Sequence, residues 1–397
     1  APSSVMGPSC FRAFSRPSLS WASLFSSSDA WRNASSLNCI RDWLCQIALV
    51  FGDRILLDHT NVLPEVKKHL PLADVVICST SGEIYKNDVH DESIVVTGIY
   101  LEHTALAYSV GNISAFSNSY ELGKYVAEKL DRQGLSYVLL LSDGNLVNGT
   151  ELTEAVKNAL DNEVTVTGGL ARDAARFEKT IVGLNEDIKE GNVVLVGFYG
   201  DRIKIGYGLK GGWEEFGPER KITAAESNVL TEIDNISALD LYKKYLGKYA
   251  EELPGSALLF PLSIKAKEDD VPVVRTILKI NEAAKSMTFA GDMPVGARVR
   301  FMKADFEKLI NSAGEAANKA SVFSAAQPSL VLLISCVGRK LVLGERIKEE
   351  IASAVKFFPD AATITGFYSY GEISPQRAGS CSDLHNQTMT ITTFAEL

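Results

Sequence analysis

Two stretches of the chain repeat one pattern at a constant spacing, and this internal match limits the possible folds more than any other feature. Residues 95–100 with Tyr108 align with residues 194–199 with Tyr207, and the glycine and both tyrosines fall in register. An apolar strand, an amphipathic helix and a short second strand precede each stretch in the same order. The sequence therefore predicts a β-α-β-loop-β-β unit that occurs twice.

The predicted elements lie at similar places in each copy. The first copy has a strand over 47–51, a helix over 62–70 and a strand over 75–78, and the second copy has them over 137–141, 152–160 and 164–167. A third, more distant copy has strands over 330–335, 363–365 and 389–394 and a helix over 344–357. Between the second and third copies we expect a helix within 233–246 and a strand over 273–280.

These copies predict an α+β protein in which repeated β-α-β-β-β units form layered mixed sheets covered by helices. We expect two domains, over residues 46–237 and 238–397, with the boundary inferred from the repeats. Residues 1–45 are rich in Ser and Arg, contain no Lys and show no strand or helix pattern. We expect this segment to be either disordered or an organelle-targeting peptide.

Charge and composition exclude several classes of function. The chain has 40 Lys and Arg against 49 Asp and Glu, a net charge of −9 at pH 7, which argues against nucleic-acid binding. Its apolar runs are far shorter than the roughly 20 residues that cross a bilayer. The six cysteines form no CxxC pair, which favours a reducing compartment and a cytoplasmic location, or an organelle if residues 1–45 are a targeting peptide.

Known catalytic and cofactor motifs are missing from the sequence. It has no GxxxxGK[ST], HExxH, GxSxG or strand-linked GxGxxG pattern, and its five histidines lack the spacing of metal ligands. We therefore predict no metal, no cofactor and no catalytic residue. A triad assembled from distant parts of the chain stays open, because such residues need not be near in sequence.

The loops after the second strand of each copy are the predicted ligand site. The Gly-Glu-Ile sequence occurs in two of them, and such loops lie at the carboxyl ends of strands, where ligands bind in α/β units. The alternative is that the glycines only form tight turns and the acids are solvated. The predicted ligand-binding residues are Ser79, Thr80, Gly82 and Glu83 in the first copy and Tyr370, Gly371 and Glu372 in the third.

A second polar cluster precedes the last apolar strand. His385 and Asn386 could bind a carboxylate or amide group, and a neutral histidine would make binding sensitive to pH near 6 to 7. The alternative is a hydrogen-bonded entry to the strand. Trp213 could stack on a ligand, although a core-capping role is favoured. Cys78 and Cys381, beside the two loops, are interpreted as small buried apolar residues.

At these residues the chain resembles the FIST family, whose members combine a FIST N and a FIST C domain. Residues 366–373 (GFYSYGEI) and 384–389 (LHNQTM) resemble the end of the FIST C domain, residues 75–84 resemble an early FIST N segment, and residues 221–247 resemble the junction. One departure is Asp234-Asn235, where the family commonly has Asp-Gly. Because Asn tolerates left-handed backbone geometry, the change is mild.

The resemblance implies a sensory role in signal transduction, with binding of a small ligand such as an amino acid. We expect the ligand to favour one arrangement of the two domains and a downstream signalling protein to detect it. The alternative is a protein-recruiting scaffold, such as the substrate-recognition module of a ubiquitin ligase, because some family members are F-box proteins. No F-box pattern occurs in residues 1–45, which favours the sensory role.

Overall fold

The computed structural model describes residues 20–25 and 44–397, except 161–163, 175, 177, 254, 269, 324, 325 and 378. In the first half of the chain the strands are β1 (Ser20–Phe25), β2 (Ile47–Asp53), β3 (Asp74–Thr80), β4 (Glu83–Tyr85), β5 (Asp88–His90), β6 (Ile94–Ile99), β7 (Ala105–Asn112), β8 (Leu135–Ser142), β9 (Thr165–Leu170), β10 (Val182–Leu184), β11 (Asp187–Lys189), β12 (Asn192–Tyr199) and β13 (Ile203–Lys210). The helices there are α1 (Arg54–His59), α2 (Val62–His69), α3 (Ser119–Glu128) and α4 (Gly149–Ala159).

The second half of the chain begins with one strand of 13 residues and a group of short strands, and it ends with helices and further strands. Its strands are β14 (Glu214–Glu226), β15 (Val229–Ile233), β16 (Ile236–Ser237), β17 (Leu262–Lys265), β18 (Val273–Arg275), β19 (Ile277–Asn281), β20 (Ser286–Phe289), β21 (Arg298–Lys303), β22 (Leu330–Cys336), β23 (Thr363–Ser369), β24 (Glu372–Pro375), β25 (Ser382–His385) and β26 (Met389–Glu396). Its helices are α5 (Ala238–Leu246), α6 (Phe306–Phe323), α7 (Val337–Leu343) and α8 (Ile347–Val355).

Three six-stranded sheets share one plan and exchange hairpins. Their strand orders are β1-β6-β2-β3-β10-β11, β7-β12-β8-β9-β24-β25 and β13-β26-β22-β23-β4-β5. In each sheet the third and fourth strands are parallel, and the hairpin beside them comes from another part of the chain. The hairpin that follows β3 pairs with β23, the one that follows β23 pairs with β9, and the one that follows β9 pairs with β3. The exchange is therefore cyclic.

Alternation along the central strands divides each sheet into an inner and an outer face. Ile47, Leu49 and Phe51 of β2 face a core that also contains Tyr137 of β8 and Leu332 of β22. The inner faces of all three sheets thus meet in one core. Aromatic pairs join the sheets within it, including Phe51 with Phe367, whose ring centroids are 4.7 Å apart.

Helices cover the outer faces of the sheets. Val66 of α2 packs with Val50 on the first sheet, and Leu152 of α4 and Ile351 of α8 belong to a cluster over the other two sheets. Side-chain caps start several helices, and Asn148 accepts hydrogen bonds from the first turn of α4. Among the residues that the structure describes, we find no helix with the length and apolar character needed to span a bilayer.

Residues 214–303, here called the inserted subdomain, form a separate body between β13 and α6. Their eight strands, β14 to β21, make a fourth sheet, and α5 packs on it. This subdomain has its own core, to which Ile222, Tyr242 and Phe301 belong. At the β15–β16 turn, Asp234 and Asn235 both have positive φ, as a tight hairpin requires.

The α+β prediction is confirmed, and most predicted strands fall within observed ones. The helix expected over 344–357 is instead a short 3-10 segment, Gly344–Arg346, followed by α8, and the strand expected over 273–280 divides into β18 and β19. Helices α1, α3, α6 and α7 were not predicted. The internal repeat and the division at residues 237 and 238 stay predictions, although the three sheets have equivalent strand orders.

The N-terminal segment departs from the expectation that it contains no strand. Ser20–Phe25 forms β1, which pairs antiparallel with β6 over six residues. It takes the edge position that β7 and β13 take in the other two sheets, where it satisfies backbone groups that would otherwise be unpaired. Such a strand forms because β6 is present as its partner, and its own sequence contains no pattern that predicts a strand. The targeting interpretation concerns residues that lie mainly outside the described part of the chain.

We predict that Gly366→Ala destabilises the protein by more than about 3 kcal/mol, because a Cβ at this position would overlap the backbone oxygen of Leu333 on the neighbouring strand. Urea unfolding followed by circular dichroism measures the change. Gly255→Ala is the matched control, since a Cβ there has no atom within 4 Å. Equal stability of the two variants would contradict the close approach of β22 and β23.

Candidate functional site

Three loops at the carboxyl ends of the second parallel strands bind one another through their backbones. We call residues 79–82, 170–173 and 368–371 together the loop ring. Each contact joins one pair of loops: Arg172 N donates to Ser79 O at 2.8 Å, Ser81 N donates to Tyr368 O at 3.0 Å, and Tyr370 N donates to Leu170 O at 3.1 Å. The loops that carry the predicted site residues are thus brought together, and the second copy contributes the third loop.

Arg172 and Tyr370 form the central side-chain contact of the loop ring. The guanidinium carbon of Arg172 lies 3.6 Å from the centroid of the Tyr370 ring, and its Nε donates to Ala174 O at 2.6 Å. Arg172 is 3% exposed, and this burial lowers its pKa to about 10. A Cβ on Gly144 would overlap Ala171 O and crowd the Tyr370 ring, so this glycine permits the close packing.

Glu372 is a buried carboxyl group that hydroxyls and a backbone N–H surround. Thr388 donates to Oε2 from its N at 3.2 Å and from its Oγ1 at 2.9 Å, and Oε1 lies 2.5 Å from Ser369 Oγ. Burial raises the pKa of Glu372 to about 8. Ser369 Oγ also lies 3.3 Å from Ser335 O, and its single hydroxyl hydrogen cannot be donated to both Ser335 and Glu372. A protonated Glu372 satisfies both contacts, because its O–H can donate to Ser369, which then donates to Ser335.

Glu83 has an equivalent environment in the first copy. Thr80 and Ser93 donate from their hydroxyls to its two carboxylate oxygens. Burial again raises the pKa to about 8, although the nearby Lys340 acts in the opposite direction. The turn interpretation, in which these acids are solvated, is therefore wrong for both glutamates. Their contacts are internal to the fold, and neither lines the cleft described below.

The remaining residues of the first-copy loop also have internal partners. Ser79 Oγ accepts from Ile181 N at 3.0 Å, which fixes the start of β10. Gly82 has a φ of +121°. A Cβ added to Gly82 would collide with Nζ of Lys340. The same Nζ donates to Ser81 O at 2.8 Å, which ties this loop to α7.

The cluster before β26 is also buried. His385 Nε2 donates to Ser374 O at 3.0 Å, and burial lowers the pKa of His385 to about 4, so the ring stays neutral at pH 6 to 7. Asn386 Nδ2 donates to Tyr370 O at 3.4 Å, which places Asn386 beside the loop ring. Trp213 is buried and donates from Nε1 to Gln387 O at 2.9 Å, which fits the core-capping role.

Thiols and metal ligands are not gathered into a reactive centre in the described chain. Burial raises the pKa of Cys78, and it raises that of Cys336 to about 12. Cys78 is fully buried, as its interpretation as a small apolar residue requires, whereas Cys381 is partly exposed. No group of three or more His, Cys, Asp or Glu residues suited to a metal ion occurs among the described residues.

A cleft of about 350 Å³ lies between the loop ring and the inserted subdomain. Tyr370 of the loop ring lines it, so the tyrosine contacts both the cleft and Arg172. From the predicted site residues, Tyr370 alone lines this cleft. Its walls combine apolar side chains with amides and contain no Asp, Glu, Lys, Arg or His: Gly144, Asn145, Leu146, Val147, Asn148, Gly149, Leu170, Asn228, Leu278, Phe289, Ala290, Gly291, Tyr370 and Leu384.

Sequence reasoning missed most of these lining residues. Residues 144–149 had a usable signal. Asp143 directly follows a buried strand, Asp53 is the last residue of the equivalent strand in the first copy, and each aspartate accepts hydrogen bonds from the turn that follows. Leu278 and Phe289 had none, since they come from a subdomain that reaches the site only through tertiary packing.

Comparison with known proteins identifies this architecture. The model of the FIST N domain matches residues 46–236, and that of the FIST C domain matches residues 238–375. The chain belongs to the FIST family. FIST domains are regarded as sensory domains that bind small ligands in signal transduction, not as catalytic domains. The boundary between the two matches falls inside the inserted subdomain, between β16 and α5.

A curated relative is similar over much of the chain. "Uncharacterized protein MJ1623" of Methanocaldococcus jannaschii is 23% identical over 330 residues, which are 75% of this chain and 61% of the archaeal protein. The chain thus spans less than two thirds of that relative's length.

The two buried glutamates predict a pH-dependent stability. Their pKa of about 8 in the folded chain exceeds the ordinary value of 4.5, so the folded state holds protons between these values that the unfolded state has released. The free energy of unfolding therefore falls as the pH rises from about 5 to 8. Glu372→Gln should flatten this fall, because the amide can make the same contacts without ionising. Urea titrations across this pH range measure it.

The exposed Glu128 supplies the control for this experiment. Glu128→Gln should keep the wild-type pH profile, and Glu83→Gln should resemble Glu372→Gln. A wild-type free energy of unfolding that does not fall between pH 5 and 8 would contradict the raised pKa of the two glutamates.

Proposed function

We propose that this chain is a sensor that binds a small ligand in the cleft between the loop ring and the inserted subdomain. The observation that supports it most is that two bodies with separate hydrophobic cores line one cleft. Leu170 and Leu384 contribute from one side, and Leu278 and Phe289 contribute from the other. A ligand that contacts both sides favours one relative arrangement of the two bodies, which a partner protein can detect.

Two hydrogen bonds among the described residues join the two bodies beside the cleft. Asn148 Nδ2 donates to Asp292 Oδ1 at 3.3 Å, and Arg275 Nη1 donates to Leu384 O at 3.2 Å. Single hydrogen bonds of this kind contribute about 1 kcal/mol each, and Met302 and Val274 of the inserted subdomain add apolar contacts with the core of the other body. Tyr370 links the cleft to Arg172, and through it to all three sheets.

The lining indicates the kind of ligand. Seven apolar side chains suit an aliphatic or aromatic group, and the amides of Asn145, Asn148 and Asn228 can donate and accept hydrogen bonds. Because no ionisable side chain except that of Tyr370 lines the cleft, a ligand with a charged side chain would lose hydration without a partner. Among free amino acids, those with apolar side chains are therefore the first to test.

We expect apolar amino acids to raise the melting temperature of the full chain by about 3 °C when present well above their dissociation constant. Ala290→Trp should abolish this rise, because the indole occupies the cleft that Ala290 lines. Differential scanning fluorimetry against the amino acids measures the shift, and mass spectrometry of the purified protein detects molecules that copurify.

Leu72→Trp is the matched control, since Leu72 is exposed and lies outside the cleft. This variant should respond to ligand as the wild type does. A panel in which no amino acid changes the melting temperature and no small molecule copurifies would reject the amino-acid sensor.

A protein-recruiting scaffold is the second candidate function. At the rim of the cleft, Leu146 is 57% exposed and Leu278 is 39% exposed, and exposed leucines of this kind also suit a protein partner. Substrate recognition for a ubiquitin ligase belongs to this class. The two functions separate in the same experiment, because a scaffold would bind a protein through Leu146 and Leu278 without any ligand-dependent shift.

A further inference from the structure

A second pocket is adjacent to the cleft and shares Leu384 with it. It has a volume of about 520 Å³ and is formed by α4, by the inserted subdomain near β17 and β18, and by the turn between β24 and β25. Leu384 lines both spaces, yet their chemistry differs. The first is free of Asp, Glu, Lys, Arg and His, whereas the second contains three basic and three acidic side chains: Lys157, Arg275, Arg377, Glu154, Asp270 and Asp383.

Arg275 is the buried cation of this second pocket. It is 6% exposed, and burial lowers its pKa to about 10. Its guanidinium contacts backbone carbonyls at long distances, from Nη1 to Leu384 O at 3.2 Å and to Val274 O at 3.3 Å, and from Nε to Asp292 O at 3.5 Å. Among the described residues, no carboxylate oxygen lies within 4.0 Å of it.

Comparison with another buried arginine shows how incomplete this pairing is. Arg339 is fully buried, and its Nε donates to Glu350 Oε1 at 2.6 Å while its Nη2 donates to Leu309 O at 2.8 Å. A buried charge is costly unless it is paired. The nearby Asp292 and Asp383 favour the charged form of Arg275 but do not form ion pairs with it. The Arg275 guanidinium therefore retains capacity for an anion.

Other groups of the pocket can contribute to the same anion. Thr150 Oγ1, in the first turn of α4, has no hydrogen-bond partner among the described residues and can donate. Lys157 is a quarter exposed and already pairs with Asp383 at 2.9 Å, so it adds positive charge without being committed to the ligand. The acidic side chains of the pocket disfavour a second anionic group, and Ile264, Val273 and Leu384 provide apolar wall.

We propose that this pocket binds a small molecule through a single carboxylate or phosphate group, with Arg275 and Thr150 as its main contacts. Arg275 belongs to the inserted subdomain and Thr150 to α4, so the bound anion would join the two bodies. A planar guanidinium fork suits both carboxylate and phosphate oxygens. The site is separate from the cleft of the proposed function, and its occupant would stabilise the same interface.

The test uses the full chain and two probes, inorganic phosphate and acetate, each titrated at constant ionic strength against potassium chloride. At least one probe should give a saturable rise in melting temperature of about 2 °C. A response to phosphate alone or to acetate alone identifies the preferred group, and both support the site. Absence of a saturable response to either probe overturns the proposal.

Variants locate the response. Arg275→Met keeps the apolar stem and should abolish the shift, whereas Arg298→Met, an arginine of the same subdomain outside the pocket, should keep it in full. If Arg275→Met does not fold, Thr150→Val preserves shape and should weaken probe binding several-fold. An undiminished shift in Arg275→Met or in Thr150→Val contradicts the assignment. Ala290→Trp should leave the anion response unchanged, which separates this proposal from the first.

Discussion

The cyclic exchange of hairpins is the constraint on which the rest of the structure depends. A strand must pair its backbone groups, and in each of the three sheets the partner at one side comes from a distant segment. The loops that carry out the exchange must cross at the carboxyl ends of the parallel strands, where they bond to one another as the loop ring. The position of Tyr370, and therefore of the cleft, follows from this crossing.

The buried glutamates show how polar groups are accommodated at such crossings. Glu83 pairs across from Phe367, and Glu372 pairs across from Gly169, so both begin their hairpins at the same register. The third hairpin begins with Val182, across from Cys78. Backbone pairing alone thus does not require an acid. Where the acid is present, it is matched by local hydroxyls, which is how a buried carboxyl avoids an unsatisfied oxygen.

Local patterns in the sequence predicted the parallel strands, the covering helix α2 and the loops after each second strand, because alternation and amphipathicity report which face of an element is buried. The same patterns could not show that Glu372 would be enclosed by Thr388, or that β4 would pair with β23. Both contacts join segments that are far apart in the chain, and a local pattern does not indicate which distant segment becomes the partner. The cleft was hidden for the same reason, since Phe289 reaches it from a subdomain with no local sign of its destination.

Residues of both the FIST N and the FIST C match line the cleft. The inserted subdomain contains the boundary between the FIST N and FIST C matches. A ligand bound as we propose would contact a cleft that Tyr370 and Arg172 connect to the loops of every sheet.

Hairpin exchange also sets the order in which the chain can fold during synthesis. Strand β13 ends at Lys210, yet its partner β26 spans Met389–Glu396. In the same way, β4 is synthesised long before its partner β23. Until those segments leave the ribosome, the earlier sheets have open edges and exposed inner faces. A nascent chain of this design therefore has a long interval in which these edges are unpaired, and a fragment that stops at the FIST N boundary would keep them open.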